Sequence, residues 1–409
     1  MILPQAIQNT IDRLEQCGFE AYAVGGAVRD FLLNLSPKDW DIATSALPQD
    51  VIDIFGEKNC IPTGIKHGTI TLVKDAQMIE ITTYRVDGEY GDNRHPDRVV
   101  FSKSITEDLS RRDFTINAMA YAPKVGIVDL FGGQKDLAAK IIRTVSTPEK
   151  RFSEDGLRII RGLRFGAVLG FDIEENTKLA IHQCKSLLGN IARERLQSEL
   201  SKLVLADHPE EILTEFSDVF AEFLGIKTEF CPNKWNENAK LLGSCPLNLP
   251  LRLAILLDKA ASNTPPHKIL RELKYDNKTI YTAKIISNYI DKEILPEPIC
   301  IKHILSELGE NTLRLVLEAK RVKNQDIAVI YNIMEKIISF NQCCKLKDLK
   351  IDGNDLIHLG ISGKEIGRIL KSLLNEVIEE RCENKRSALI ELAERLKRLL
   401  MEEGPSHDD

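Results

Sequence analysis

A chain of 409 residues is long for one domain and points to two to four, and 43% hydrophobic with 28% charged residues is an ordinary globular balance with room for sizeable cores. A formal net charge of −6 argues against indiscriminate coating of nucleic acid and confines phosphate contacts to local basic patches. No apolar run is long enough to span a bilayer, and nine cysteines without a C-x-x-C spacing suggest neither a disulfide framework nor a zinc site, so the cytoplasm is the expected compartment.

The opening segment, MILPQAIQNTIDRLEQCG, has early acidic residues and predicts an amphipathic helix rather than a signal peptide. Ala21–Ser45, AYAVGGAVRDFLLNLSPKDWDIATS, predicts a strand, a Gly25-Gly26 turn, a short helix carrying Arg29 and Asp30, and a second strand holding Asp39 and Asp41. The i, i+2 spacing puts both carboxylates on one strand face. Paired hard oxygens suit magnesium, which binds through one or two carboxylates plus substrate phosphates. The turn, with Gly26 at the helix start, lets backbone amides approach a triphosphate. A lone D-x-D is commonly a solvated strand end and a lone Gly-Gly a turn; found together in one short unit they point to nucleotidyl transfer.

Gly68–Val73 and Met78–Arg85 are β-branched and alternating, and predict strands. Glu80 shares a face with Met78 and Thr82 and is either a third acid beside the aspartates or an exposed strand glutamate. His67, just upstream, reads as a structural or loop-ordering residue rather than a general base. Arg85–Val99 is polar and rich in turn residues, a loop of a length that is usually functional or mobile. Leu109–Tyr121 places Arg111, Arg112 and Asp113 at a predicted helix start, where an aspartate can also be a simple cap.

From Pro148 onward the pattern is helical. In Arg151–Phe165, RFSEDGLRIIRGLRF, Asp155 and Arg158 are i, i+3 on one predicted helix. They are either a surface ion pair or a carboxylate and guanidinium offered together to a base. A cytosine or adenine edge presents an amino donor beside a ring-nitrogen acceptor, matching Asp155 and Arg158; guanine and uracil would face Asp155 with a carbonyl. Arg161 and Arg164 continue the spacing. Each step turns about −60°, so Arg161 should stay beside Arg158 while Arg164 should swing away.

Read in order, these segments resemble the nucleotidyltransferase superfamily with a polymerase-beta-like palm, and more narrowly the class II tRNA nucleotidyltransferase and bacterial poly(A) polymerase family. That family opens with a Gly-Gly-x-Val-Arg-Asp turn followed by Asp-x-Asp. The resemblance implies an α+β fold: a palm of mixed sheet and helices over 1–147, then an elongated all-α neck (148–205), body (206–340) and tail (341–409). It implies that Asp39 and Asp41 bind Mg2+ with Glu80 as a third catalytic acid, and that Gly26 and Arg29 belong to the nucleotide site. It further implies that Arg112 meets phosphate, Asp113 accepts from ribose hydroxyls, Asp155 and Arg158 select the base, and Arg161 and Arg164 contact the nucleotide. Asp129–Leu137 resembles a springy head-to-neck connection, and Arg195 and Glu199 a fifth, neck-stabilising motif.

Thr63–Leu72 lacks the basic pattern of the poly(A) polymerases, and the segment from Ile351 resembles the tail of Gram-positive-type tRNA nucleotidyltransferases. The activity implied is template-independent addition of C, C and A to the 3′ end of tRNA. The partners implied are tRNA, ATP and CTP, with no membrane and no required protein partner. Tyr84–Val99, with its Arg94-His95-Pro96 tripeptide, separates the chain from CC-only relatives. An A-adding enzyme acting on CC-ended tRNA and a catalytically silent RNA-binding protein are the alternatives. The His-Asp pair at His407-Asp408 lies at a frayed end, so no phosphohydrolase activity is expected. Lys320, Arg321 and Lys323 in the body and Lys364, Arg368 and Lys371 in the tail are candidate tRNA contacts.

Overall fold

The structure, a computed structural model, describes residues 2–37, 39–74, 77–87 and 99–402. The first helix, α1 (Gln5–Gln16), buries Ile7, Ile11 and Leu14 at helical spacing. It is followed by β1 (Ala21–Val24), α2 (Gly26–Leu32), β2 (Asp41–Thr44), α3 (Pro48–Phe55), β3 (Cys60–Gly64), β4 (Thr69–Lys74) and β5 (Gln77–Thr83). A two-stranded ribbon, β6 (Arg85–Asp87) with β7 (Val99–Phe101), precedes α4 (Ile105–Ser110), β8 (Met119–Ala122), β9 (Gly126–Asp129) and α5 (Gly133–Ala139). Then come β10 (Ile141–Ile142), α6 (Pro148–Glu154), α7 (Leu157–Leu169), β11 (Asp172–Ile173), α8 (Glu175–Cys184) and α9 (Arg193–Val204).

Seven strands form one mixed sheet in the order β3-β4-β5-β2-β1-β8-β9, with β2 and β5 parallel and the other neighbours antiparallel. Period-2 alternation sets its faces: Ile79, Ile81 and Thr83 of β5 are buried while Met78 and Glu80 are exposed. Because β1 and β2 are antiparallel, the exit of β1 lies beside the entry of β2, and Val24 pairs with Asp41. Asp41 pairs on its other side with Glu80. Gly25 N–H donates to Met119 O at the start of β8. One end of the sheet therefore collects the glycine turn, the aspartates and the segment leading into β8.

The chain forms two compact units, residues 1–243 with 247–277, and 244–246 with 278–409. The second unit is helical among its described residues. Helix Lys364–Ile378 buries Ile369, Leu373, Leu374, Val377 and Ile378 and leaves Lys364, Arg368 and Lys371 exposed on its other side. Among the described residues no helix is long and apolar enough to cross a membrane.

Three local expectations are corrected. The region after Pro148 is not wholly helical, since β11 pairs in parallel with β10. Asp155 and Arg158 do not share one helix: α6 ends at Glu154, Asp155 is extended (φ −143°, ψ 104°), and α7 begins at Leu157. Gly156 fits this break because a Cβ there would stand 3.1 Å from Leu187 Cβ and O. Lys320 is no RNA contact; it is buried and donates to the carbonyls of Ile290 and Lys292 and to Gln325 Oε1.

Candidate active site

At the collecting end of the sheet lies an open cavity of about 1130 Å3, walled by α2, the start of β2, the Arg111–Asn117 segment, α7 and α9. Asp39 and Asp41 both line it and both reach solvent. Asp39 precedes β2 rather than lying within it. The Asp41 carboxyl is pushed above its ordinary value, first by the protein atoms crowding it, then by the Glu80 carboxylate, with Asp39 adding and Arg112 opposing. Such uncompensated negative charge among hard oxygens is the environment a divalent cation relieves, so the donor set fits one. Among the described residues no group of three His, Cys, Asp or Glu side chains stands close enough to hold a metal. Glu80 is beside Asp41 in the ladder and acts on it through charge.

The turn that faces the aspartates needs glycine at Gly25 rather than at Gly26. Gly25 has φ 71°, and a Cβ there would lie 3.0 Å from Arg112 Nη1; at Gly26 it would make only ordinary contact with Arg29. Arg112 is held by Asp108 at 3.1 Å, yet its Nε is buried without a hydrogen-bond partner among the described residues. Burial alone would raise the Asp108 carboxyl, but Arg112 and Arg111 beside it hold it below the usual range. Arg29 donates to Asp30 at 2.8 Å and to Asn117 Oδ1 at 2.7 Å.

Asp113 does not start an α-helix; it lies just ahead of the single 3-10 turn Thr115–Asn117. Its Oδ2 accepts from Arg161 Nε and Nη2 at 2.9 and 2.6 Å, and its Oδ1 from Phe114 N–H and Asn117 Nδ2 at 2.8 and 3.2 Å. Burial by itself would raise this carboxyl, but Arg161, Asn117 and the amide hold it down to about 2. Since that value lies below the ordinary 3.8, the ionised pair adds stability at higher pH and loses it as pH falls towards 2. Asp113→Asn should therefore lose less stability than wild type between about pH 5 and pH 2, by about 2 kcal/mol. Thermal unfolding across that range checks it, and superimposable profiles would show the pair broken in solution.

Asp155 and Arg158 both line the cavity; Arg158 N–H donates to the Asp155 carbonyl at 2.9 Å, but their side chains take other partners. Arg158 is buried and donates to Glu154 at 2.5 Å and to the carbonyls of Arg151 and Arg111 at 3.1 and 2.9 Å. Asp155 accepts from Leu157 N–H at 3.0 Å and from Arg195 Nη2 at 2.8 Å. Arg164, expected to swing away, lines the same cavity, because Glu199 of α9 takes its Nε and its guanidinium lies 4.0 Å from the Phe165 ring centre. One turn of α9 thus grips two cavity residues: Arg195 holds Asp155, and Glu199 holds Arg164.

Sequence reasoning gave no role here to Asn117, Phe165 or Lys202. Asn117 ties Arg29 to Asp113, whereas Phe165 and Lys202 line the wall. Their signal was only adjacency to the arginine-rich motifs. His67 does not line the cavity; its carbonyl accepts from Arg85. Residues 88–98, with Gly88, Gly91 and Arg94-His95-Pro96, lie outside the described residues, as does 403–409 with His407-Asp408.

Residues 21–143 match the family model described as "Poly A polymerase head domain", 252–393 match tRNA nucleotidyltransferase domain 2, and 170–218 match "Probable RNA and SrmB- binding site of polymerase A". The CCA-adding enzyme of Ligilactobacillus salivarius is 35% identical over 402 residues, covering 94% of this chain and 95% of its own. That of Leuconostoc citreum is 36% identical over 407 residues, covering 96% and 97%. The crystal structure of the Bacillus stearothermophilus CCA-adding enzyme in complex with CTP superposes with a TM-score of 0.80 at 29% identity, covering 98% of this chain and all of that one. Likeness of this extent, running through both units, makes the chain a member of the CCA-adding enzyme family of tRNA nucleotidyltransferases.

Proposed function

We propose that this cavity selects CTP and then ATP without a nucleic-acid template and joins them to the 3′ end of tRNA as C, C and A. The observation that carries the reading is convergence: Asp39 and Asp41, Arg112, Asp113, Asp155 and Arg158, spread over some of the first half of the chain, line one cavity. Asp39 and Asp41 would hold Mg2+. When bound, the ion neutralises triphosphate charge and lowers the pKa of the attacking 3′-hydroxyl. Glu80 supports the aspartates by its place beside Asp41.

Arg112, with its unpartnered Nε, meets phosphate, and the Gly25-Gly26 turn lets backbone approach it. Asp155 keeps accepting capacity on Oδ2 beyond Arg195, which suits the amino group of cytosine or adenine. Arg158 is fixed by Glu154 and two carbonyls, so its remaining N–H donors can meet a ring nitrogen without first losing rotamer freedom. Asp113 is filled by four donors, so a ribose hydroxyl reaches it only by displacing one of them.

In the proposed division, palm, neck, body and tail span 1–147, 148–205, 206–340 and 341–409. Lys364, Arg368 and Lys371, exposed and without an ion pair among the described residues, support tRNA contact by the tail. Nine free thiols suit a reducing compartment and support action in the cytoplasm.

The test offers the protein three tRNA transcripts, ending at the discriminator base, at C and at CC, with each nucleotide separately. CTP should extend the first two and ATP the third. Extension of the CC-ended transcript alone would instead establish A-only addition.

A further inference from the structure

Phe165 of α7 is 5% exposed, and three guanidiniums gather on its ring. Arg29 lies 5.1 Å from the ring centre, Arg161 5.4 Å and Arg164 4.0 Å. Phe114 packs edge-on against the same ring at 5.8 Å and 79°. The three arginines come from two elements, α2 and α7, and all line the cavity. Each has its own carboxylate: Asp30 for Arg29, Asp113 for Arg161, Glu199 for Arg164. Those carboxylates lie on different elements, and the feature the three cations share is the ring.

Like charges brought together repel, and in a partly desolvated wall water screens them poorly. An aromatic face carries negative quadrupole density and attracts cations placed over it within about 6 Å. A saturated side chain of similar volume would fill the space without offsetting the repulsion.

We propose that Phe165 is a positioning residue for nucleoside triphosphate binding, its ring holding Arg29, Arg161 and Arg164 as one preformed cationic wall. The assignment rests on the nucleotide reading of the cavity. The wall acts before chemistry, on the anionic substrate, and serves CTP and ATP equally because the triphosphate is common to both.

The test measures KM and kcat for CTP and ATP on tRNA transcripts, and direct CTP binding, in the full-length protein. Phe165→Leu should raise KM for both nucleotides about tenfold with kcat much less affected. Phe165→Tyr, which keeps the ring face, should recover most of that loss. Protein carrying mono-, di- and trifluorinated phenylalanine at 165 keeps the side-chain shape while ring density is withdrawn, so KM should climb with each fluorine. That series holds even if Phe165→Leu folds poorly. A flat fluorine series, an unchanged KM in Phe165→Leu, or equal damage by Tyr and Leu would overturn the proposal and leave Phe165 as packing. Wild-type protein that bound neither nucleotide would overturn the nucleotide reading and this assignment with it.

Discussion

Asp39→Ala or Asp41→Ala abolishes incorporation of CTP and ATP alike, by about 10³-fold or more, while tRNA binding stays near wild type. The size follows from losing a Lewis-acid contribution of several kcal/mol to the transition state. The breadth follows from the proposed role, because a metal ion held by Asp39 and Asp41 would serve the triphosphate, which CTP and ATP share. Stability should not fall with activity. Asp41 is held above its ordinary pKa by crowding, Glu80 and Asp39, so its ionised form is disfavoured by the fold at neutral pH. Neutral Asp41→Asn should therefore unfold at the same temperature as wild type or slightly higher, the trade expected of a binding site kept short of counter-charge. Filter binding of tRNA, incorporation of each labelled nucleotide and a thermal melt make up the experiment. Loss of one nucleotide only would contradict a single shared metal site.

The second large effect falls on base choice. In the proposed reading, Asp155→Ala removes a charged acceptor from the amino group of cytosine or adenine, and the wrong bases no longer meet a carboxylate with a carbonyl. Losing such a hydrogen bond costs about 1.5–3 kcal/mol, or roughly ten- to a hundredfold in discrimination against UTP and GTP. The structure adds a condition. Asp155 also holds Arg195, so its removal frees a guanidinium at the cavity wall. Asp155→Asn, which keeps an acceptor oxygen, separates loss of shape from loss of charge. Arg158→Lys is a better partner variant than Arg158→Ala, because the arginine is buried among Glu154 and two carbonyls, and truncation would leave Glu154 with Arg151 alone and strip both carbonyls of this donor. Misincorporation ratios of UTP to CTP and of GTP to ATP are the readout. Unchanged ratios in both Asp155 and Arg158 variants would sink selection by this pair.

The motifs were legible because they are local. A strand, a glycine turn and a second strand need only neighbouring residues, and Gly25, Arg29 and Asp41 fall where pattern and turn chemistry put them, whereas Asp39, expected on the same strand as Asp41, stands just ahead of it. Glu80 was legible to its face, since alternation fixes that, but its neighbour Asp41 follows from the parallel pairing of β2 and β5, which no local pattern dictates.

Helical arithmetic carried Asp155 and Arg158 on one rod and turned Arg164 away; the tertiary structure decided otherwise. The rod breaks at Asp155, where Arg195, forty residues on, takes the carboxylate and Gly156 lets the chain pass close to Leu187. Arg164 is brought back to the cavity by Glu199 and the Phe165 ring. Lys320 looked like one more solvated cation until the fold supplied it with buried carbonyls. The amino-acid sequence by itself determined which chemical groups the protein owns and the period on which they repeat, because both are properties of the chain and its nearest neighbours. Arg29, Arg112 and Arg158 meet carboxylates within four residues of themselves. The pairs Arg161–Asp113, Arg164–Glu199 and Arg195–Asp155 were decided by the tertiary structure, since those partners lie tens of residues apart and meet only where packing brings their elements together.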